Sequence, residues 1–200
     1  GANGQVTCSD VDYLYETIRG AKILGAQLEV PLETVDHAIR VAASLGVRTM
    51  LDPAPVAPID ETLYPHISII KPNECEAQSL TGLPVTDTET AYAAAQVLLD
   101  KGVREAVIIT LGEKGTVLVT HKEKRYFPGI PMKAVDTGGA GDTFAGALLA
   151  SLAQDWSLEK SVCYAQCASA ICVTRTSGFD ATEKEPIDAL FKKTYSQYTL

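Results

Sequence analysis

Short apolar runs alternate with segments of helical periodicity along most of this chain. The apolar runs predict strands at 22–28, 47–51, 67–70, 106–110, 115–120 and 124–127. Apolar residues at helical spacing predict helices at 31–45, 74–80, 88–100, 142–153, 158–173 and 186–195. Strands and helices that alternate in this way form open, mostly parallel sheets with helices on both faces. We therefore predict an α/β fold and, because no linker or repeat interrupts the pattern, one domain over residues 1–200.

The composition narrows the class of protein and of partner. With 46% hydrophobic and 21% charged residues, the 200-residue chain has the balance of a globular protein with one substantial core. Its net charge of −8 argues against a nucleic-acid or anionic-membrane partner. No apolar run approaches the roughly 20 residues that span a bilayer. Five cysteines, an odd number, are not typical of a disulfide framework, so we expect a reducing compartment and a cytoplasmic location.

Polar residues follow most of the predicted strands at the point where each strand ends. Glu29, Asp52 and Asn73 come after the first three strands, and a short apolar run at 133–135 leads into Asp136. Ligands of open α/β sheets bind at the carboxyl ends of the strands, so this convergence predicts a binding site at that edge. Taken one at a time, each of these residues is explained equally well as a helix cap or part of a turn.

The segment GGAGD at 138–142 places glycines directly before a predicted helix, although glycine weakens helix interiors. One interpretation is a tight turn in which Asp142 or Thr143 caps the helix. The other is an anion site formed by the N–H groups of 139–141, with Asp142 as a general base that takes a proton from an attacking hydroxyl. The chain has no GxxxxGK[ST] motif and no GxGxxG after its first strand, which argues against a Walker-type site and a dinucleotide oxidoreductase.

The segment VDTGGAGDTFAGALLA at 135–150 closely resembles the C-terminal signature of the ribokinase family of sugar and nucleoside kinases. Further similar segments follow the family's order: GANGQVT at 1–7, QLEVPLETV at 27–35, LDPAPV at 51–56, KPNECEAQSLTG at 71–82 and ITLGEKG at 109–115. The resemblance weakens only after Arg175. It implies a ribokinase-like sheet that lacks the family's N-terminal βαβ units and lid. We therefore expect the nucleotide-binding portion of such a kinase, and a homodimer through the lid in a complete protein.

The resemblance implies ATP-dependent phosphorylation of the 5-hydroxyl of ribose. By position, Asp142 resembles the family's catalytic base. The backbone of Gly139, Ala140 and Gly141 resembles its anion hole for the transferring phosphate. Glu29, together with Asp142, resembles the family's sugar contacts.

Mg²⁺ and nucleotide contacts are implied in the same way. Asn73 and Glu76 match the family's NxxE pair, which orders Mg²⁺, its waters and the nucleotide phosphates. A hard cation that keeps most of its waters suits such oxygen donors. The other nucleotide-contacting positions fall on Thr110, Leu111, Gly112, Glu113, Lys114, Gly115, Gly141 and Gln166, the last of which replaces an Asn or His beside the nucleotide base.

A K⁺ site is the last feature that the resemblance implies. Its positions fall on Asp136, Gly138, Cys172, Arg175, Ser177 and Ala181. Gly138 stands where the family signature has a threonine. This difference keeps the backbone carbonyl but removes the side-chain hydroxyl. The run 176–181 departs most from the family pattern, and Asp52 replaces a usual asparagine.

Three other functions remain open. In the first, the chain is a kinase whose acceptor is another sugar or a nucleoside, although the segments QLEVPLE and DPAP favour ribose over adenosine. In the second, the chain is a non-catalytic nucleotide-binding fragment, because a lid normally excludes water and completes the sugar site. In the third, it is a purely structural α/β domain, which the polar residues at one sheet edge disfavour.

Overall fold

A computed structural model describes residues 1–176 and 183–198 of the chain. Those residues contain six strands, β1 (Ile23–Gln27), β2 (Arg48–Asp52), β3 (Ile69–Ile70), β4 (Ala106–Thr110), β5 (Gly115–Thr120) and β6 (Lys124–Pro128). They also contain eight α-helices, α1 (Cys8–Tyr13), α2 (Tyr15–Arg19), α3 (Leu32–Ser44), α4 (Glu74–Thr81), α5 (Thr88–Asp100), α6 (Ala140–Leu152), α7 (Leu158–Cys172) and α8 (Lys184–Thr194). The chain divides into two compact units, the first made of Gly1–Leu111 and Val117–Tyr126 and the second of Gly112–Thr116 and the chain from Phe127 onward.

The strands form one sheet in the order β1-β2-β3-β4-β5-β6. Strands β1 to β4 are parallel, with Gln27 opposite Asp52 and Ile70 opposite Val107. A backbone hydrogen bond of 2.9 Å closes the turn 120–123 between β5 and β6, so these two strands run in opposite directions. The mixed, mostly parallel sheet confirms the predicted α/β class.

The core of the first unit follows from the periodicity of its elements. Residues 106–109 of β4 are all buried, as expected of a central parallel strand with both faces covered. Helix α5 buries Ala91, Ala94, Ala95, Leu98 and Leu99, which recur at the spacing of one helix face. Each fully buried leucine stabilises the fold by about 1.5–3 kcal/mol.

The described part of the second unit is built on α6, α7 and α8. Cys163, Cys167 and Cys172 are buried on α7, and all five cysteines of the chain are unpaired. Burial raises the pKa of Cys163 and of Cys167 to about 12, so both remain neutral thiols that act as small apolar side chains.

The structure differs from the pattern-based prediction at two unpredicted helices, at one apolar run and at the ends of several elements. Helices α1 and α2 were not predicted, because they bury only Val11 and Ile18 and therefore show no apolar period. The run 133–135 is exposed and not a strand, and the N–H of Val135 donates to the carbonyl of Val173 at 2.7 Å. Helix α6 begins two residues earlier than predicted. No helix of the described residues is long and apolar enough to cross a membrane.

Candidate active site

In the first unit, the carboxyl ends of β1 to β4 lie at one edge of the sheet because these strands are parallel. Backbone hydrogen bonds continue this pairing beyond the strands. The N–H of Lys71 donates to the carbonyl of Leu51 at 2.9 Å, and the N–H of Thr110 donates to Pro72 at 3.1 Å. Asn73 also forms an isolated parallel bridge with Thr110. The structure therefore brings the predicted residues Asp52, Asn73 and Thr110 to the same edge.

The segment after β1 follows the same course. The N–H of Leu28 donates to the carbonyl of Ala54 at 2.8 Å, which joins it to the chain that leaves β2. Glu29 follows directly in a turn, and its side chain is exposed. A predicted sugar contact is thus open to solvent within this unit.

Asn73 and Glu76 form a reciprocal capping box at the start of α4. The Asn73 Oδ1 accepts the N–H of Glu76 at 2.9 Å, and the Glu76 Oε2 accepts the N–H of Asn73 at 2.8 Å. The Asn73 Nδ2 also donates to Glu76 Oε1 at 2.9 Å. Such a box satisfies helix N–H groups that would otherwise lack partners. The pair that the sequence predicts for metal binding is therefore held rigidly as an amide and a carboxylate side by side.

Glu76 is buried, with 6% of its surface exposed. Burial raises the pKa of its carboxyl above the ordinary value, and the bond from the Asn73 N–H offsets part of that increase. The negative charge of Asp52 raises the pKa further, and the positive charge of Lys71 lowers it. A buried carboxylate that is costly to ionise gains from a nearby cation, so the donor set fits a hard divalent ion.

A buried ion pair lies close to Glu76. The Lys71 Nζ is 2.9 Å from Asp52 Oδ2, and the two side chains are 4% and 3% exposed. Asp52 was predicted from the sequence and Lys71 was not, although a lysine directly after the apolar strand β3 is a signal for such a pair. Removing one partner of a buried pair leaves an uncompensated charge and costs about 3–5 kcal/mol.

In the second unit, the segment GGAG at 138–141, called the glycine loop below, leads into α6. Gly139 is the N-cap and has φ 75° and ψ 1°, the left-handed region that glycine adopts without strain. Gly139 has no side chain, and Asp142 and Thr143 lie inside α6, so neither of them is the N-cap residue considered above. Asp142 is the third residue of α6, in its first turn, and is exposed. A negatively charged side chain in the first turn of a helix interacts favourably with the helix dipole.

The backbone N–H groups of the loop differ in their availability. The N–H of Ala140 donates to the carbonyl of Thr137 at 3.3 Å, a long bond. Within the described ranges, the N–H groups of Gly139 and Gly141 have no hydrogen-bond partner. Two of the three predicted anion-hole donors are therefore open to an anion, and the third is weakly engaged.

The predicted nucleotide turn continues from Leu111, which is buried in the first unit, into the second unit. There, Gly112, Glu113 and Lys114 form an exposed 3₁₀ turn. Gly115 has φ 115°, and a Cβ at this position would overlap the carbonyl oxygen of Phe127, so only glycine fits.

Gln166 is buried on α7 with one half of its amide satisfied. Its Nε2 donates to the carbonyl of Pro128 at 2.5 Å and to Tyr195 Oη at 3.2 Å. Its Oε1 is buried and has no hydrogen-bond partner among the residues that the structure describes. A buried acceptor without a donor is uncommon and costs stability, so a donor from a ligand or a water molecule would fit here.

The predicted K⁺ positions of the second unit also lie together. The Asp136 Oδ1 accepts the N–H of Gly138 at 2.8 Å, and the Cys172 Sγ is 3.8 Å from the carbonyl oxygen of Gly138. The N–H of Arg175 donates to the carbonyl of Cys172 at 3.1 Å. Ser177 and Ala181 lie outside the described residues. The described residues contain no group of three or more His, Cys, Asp or Glu side chains that could hold a metal ion.

Comparison with protein families gives one clear match. The sequence model described as "pfkB family carbohydrate kinase" matches residues 9–185. Among curated relatives, the ribokinase of Haemophilus influenzae is 39% identical over 175 residues, which are 88% of this chain and 57% of the relative. The deoxyribokinase of Salmonella typhi is 36% identical over 175 residues, which are 87% of this chain and 57% of the relative.

Solved structures agree with this match. The Arabidopsis thaliana ribokinase complexed with ribose and ATP superposes with a TM-score of 0.85 at 30% identity. The superposition covers 90% of this chain and 59% of that protein. The chain thus spans somewhat more than half the length of these relatives.

Proposed function

Because the chain belongs to the pfkB family of carbohydrate kinases, we propose that it carries out, or forms the larger part of an enzyme that carries out, ATP-dependent phosphotransfer to a sugar hydroxyl. One observation carries this proposal. The exposed side chain of Asp142 lies in the first turn of α6, and the nearby N–H groups of Gly139 and Gly141 have no hydrogen-bond partner among the described residues. A base beside an anion site is the arrangement that phosphotransfer to a hydroxyl requires.

In the proposed step, these residues accept the proton and stabilise the transferred group. The hydroxyl oxygen attacks the γ-phosphorus of ATP, the bond from that phosphorus to the bridging oxygen breaks, and ADP leaves. Asp142 accepts the hydroxyl proton. The N–H groups of Gly139 and Gly141, weakly assisted by Ala140, stabilise the charge on the transferring phosphoryl group.

We propose ribose, phosphorylated at its 5-hydroxyl, as the acceptor. Support comes from the 39% identity to the Haemophilus ribokinase and from the ribose and ATP bound in the Arabidopsis ribokinase. Glu29, exposed in the turn after β1, is the proposed sugar contact of the first unit. Deoxyribose is the principal competitor, because a deoxyribokinase is 36% identical to the chain.

Asn73 and Glu76 are the residues that would hold hydrated Mg²⁺ and the nucleotide phosphates. Mg²⁺, when bound, neutralises charge on the β- and γ-phosphate oxygens. The capping box keeps the Glu76 carboxylate in one orientation. Gln166 would contribute its unpartnered Oε1 as an acceptor for the nucleotide base, and the turn 110–115 would run along the nucleotide.

A K⁺ site is proposed on the carboxylate of Asp136 and the carbonyls of Gly138, Cys172 and Arg175. Support comes from the contacts that bring Asp136, Gly138 and Cys172 together. A bound K⁺ would add positive potential near the glycine loop. We also propose a cytoplasmic location, because all five cysteines are unpaired.

The acceptor is tested by measuring ADP release with Mg²⁺–ATP and, in turn, ribose, deoxyribose, fructose and adenosine. We expect the highest kcat/KM for ribose and faster turnover in K⁺ than in tetramethylammonium. Ribose as the poorest acceptor would overturn the assignment, and equal rates in the two salts would remove the K⁺ site.

The alternative of a non-catalytic nucleotide-binding fragment makes a different prediction. Calorimetry would then show Mg²⁺–ATP binding to this chain, while no acceptor produces ADP. A purely structural domain would show neither binding nor turnover. Binding together with ribose-dependent ADP release supports the kinase.

A further inference from the structure

A pocket lies in the second unit, and neither the glycine loop nor Gln166 is among the described residues that line it. It is about 470 Å³ in volume and is bounded by the end of α6, the start of α7, helix α8 and Tyr198. This volume is in the range of small-molecule sites. None of the residues that line it takes part in the proposed phosphotransfer.

One wall of the pocket is aromatic and rigidly packed. The rings of Trp156 and Tyr164 meet edge to face at 5.4 Å, as do those of Tyr164 and Phe191 at 5.4 Å. Trp156 and Phe191 stack at 6.1 Å. The Tyr164 hydroxyl donates to Asp188 Oδ1 at 2.9 Å, which holds the ring and engages the only acidic side chain among the described residues of the lining. This wall offers flat apolar surface at fixed positions.

The rest of the lining carries positive charge. Three lysines, Lys160, Lys184 and Lys192, line the described part of the pocket, which contains one carboxylate, that of Asp188. The Lys160 Nζ lies 4.0 Å from the centre of the Trp156 ring, a cation–π contact that fixes the ammonium group over the aromatic wall. Counting only the described residues, neither Lys184 nor Lys192 has an ion-pair or hydrogen-bond partner.

Anchoring of α8 explains the aromatic contacts but not the whole arrangement. A helix that is merely anchored needs neither an open cavity nor an excess of two positive charges in a protein of net charge −8. Free ammonium groups beside flat apolar surface are complementary to an anion that carries a ring. We propose that this pocket binds a small molecule made of a planar ring and an anionic group, either phosphate or carboxylate.

The pocket contains its own reporter, because Trp156 is the single tryptophan of the chain. Tryptophan fluorescence is recorded while the chain is titrated with phenyl phosphate or benzoate. Benzyl alcohol serves as the control without charge, and inorganic phosphate as the control without a ring. We expect a saturable change with at least one of the two aromatic anions below about 10 mM, as suits a ligand of roughly ten non-hydrogen atoms. The tighter of the two identifies the preferred anionic group.

Variants that remove lysine charges test whether the fluorescence change arises from binding in this pocket. Lys184→Gln combined with Lys192→Gln should weaken binding of the aromatic anion about tenfold, because two attractive charges are removed. Lys122→Gln combined with Lys193→Gln changes the net charge equally outside the lining and should leave binding unchanged. Urea unfolding checks that both double variants remain folded.

Three results would overturn the proposal. The first is no saturable fluorescence change with either aromatic anion. The second is an equal response to benzyl alcohol or to inorganic phosphate. The third is an equal loss of binding in the two double variants. Because Asp142 takes no part in this binding, the result is independent of whether the chain transfers phosphate.

Discussion

Glu76 combines a structural and a proposed catalytic role in one side chain. Its carboxylate closes the capping box with Asn73, and that contact alone would explain its burial. The metal role adds a requirement that capping does not, namely a negative charge. The two roles are therefore separable by a substitution that keeps the shape of the side chain and removes its charge.

Glu76→Gln should raise the Mg²⁺ concentration needed for half-maximal turnover by about 10–100-fold, because an oxygen donor to the metal or its waters loses its charge. ATP affinity in the absence of metal should change far less. Glu74→Gln, in the same helical turn, is the matched control and should behave like the unmodified chain. An unchanged Mg²⁺ requirement in Glu76→Gln would assign Glu76 to capping alone.

The raised pKa of Glu76 has a consequence for stability. A carboxyl whose pKa is higher in the folded than in the unfolded protein retains its proton longer when folded. Its ionisation therefore lowers the free energy of unfolding as the pH rises from its ordinary pKa of 4.5 through the folded value. Below pH 4.5 this loss is absent.

Glu76→Gln removes this titration, so the stability difference between the unmodified chain and the variant should depend on pH. The unmodified chain should lose free energy of unfolding relative to Glu76→Gln as the pH rises from about 4 to about 7. Urea unfolding at several pH values measures the difference. A constant difference across that range would contradict the raised pKa.

At the residue scale, side-chain partners were the least predictable part of the site. The sequence predicted Asn73, Glu76 and Asp142 as functional positions from motif spacing. It did not predict that Lys71 pairs with Asp52 or that Gln166 bonds to Tyr195, since both contacts join residues far apart in the chain or on different elements.

At the scale of elements, the glycine loop and α6 form the proposed anion site. Gly139 starts the helix in the left-handed region, which orients the N–H groups of the first turn. Gly46 has nearly the same backbone angle, φ 74°, and a Cβ there would meet nothing within 4 Å. It lies in the first unit after α3 and takes no part in the proposed site.

Gly139→Ala should therefore be compared with Gly46→Ala. Each should lower the free energy of unfolding by about 1–2 kcal/mol, because alanine is strained in the left-handed region. Only Gly139→Ala should also reduce kcat, by about tenfold or more, because small misplacement of the stabilising groups is costly. Equal kcat values in the two variants would remove the loop from catalysis.

Most elements were predictable because their periodicity reflects burial. Helix α5 and strand β4 were predicted with their observed bounds, since each has a continuous pattern of buried residues. Helices α1 and α2 were missed because they bury one residue each. The run 133–135 was apolar enough to suggest a strand, but its backbone pairs with the end of α7 instead.

At the scale of the whole molecule, the chain matches the family over most of its own length and spans 57% of the Haemophilus ribokinase. The fold class and the family were both predictable, because the alternation of strands and helices indicates the fold class and the order of the motifs indicates the family. The division into two compact units was not, since no linker or change of composition marks residues 112 and 127.

Asp142 is the proposed base of an ATP-dependent phosphotransfer. The most direct test compares ribose-dependent ADP release by the unmodified chain and by Asp142→Asn, with Mg²⁺–ATP affinity measured by calorimetry on both. Because Gly139 is the N-cap, the substitution leaves the helix cap intact. We predict a loss of about 10²–10⁴-fold in rate with ATP affinity nearly unchanged. An Asp142→Asn variant that keeps most of the ribose-dependent rate would show that Asp142 is not the base.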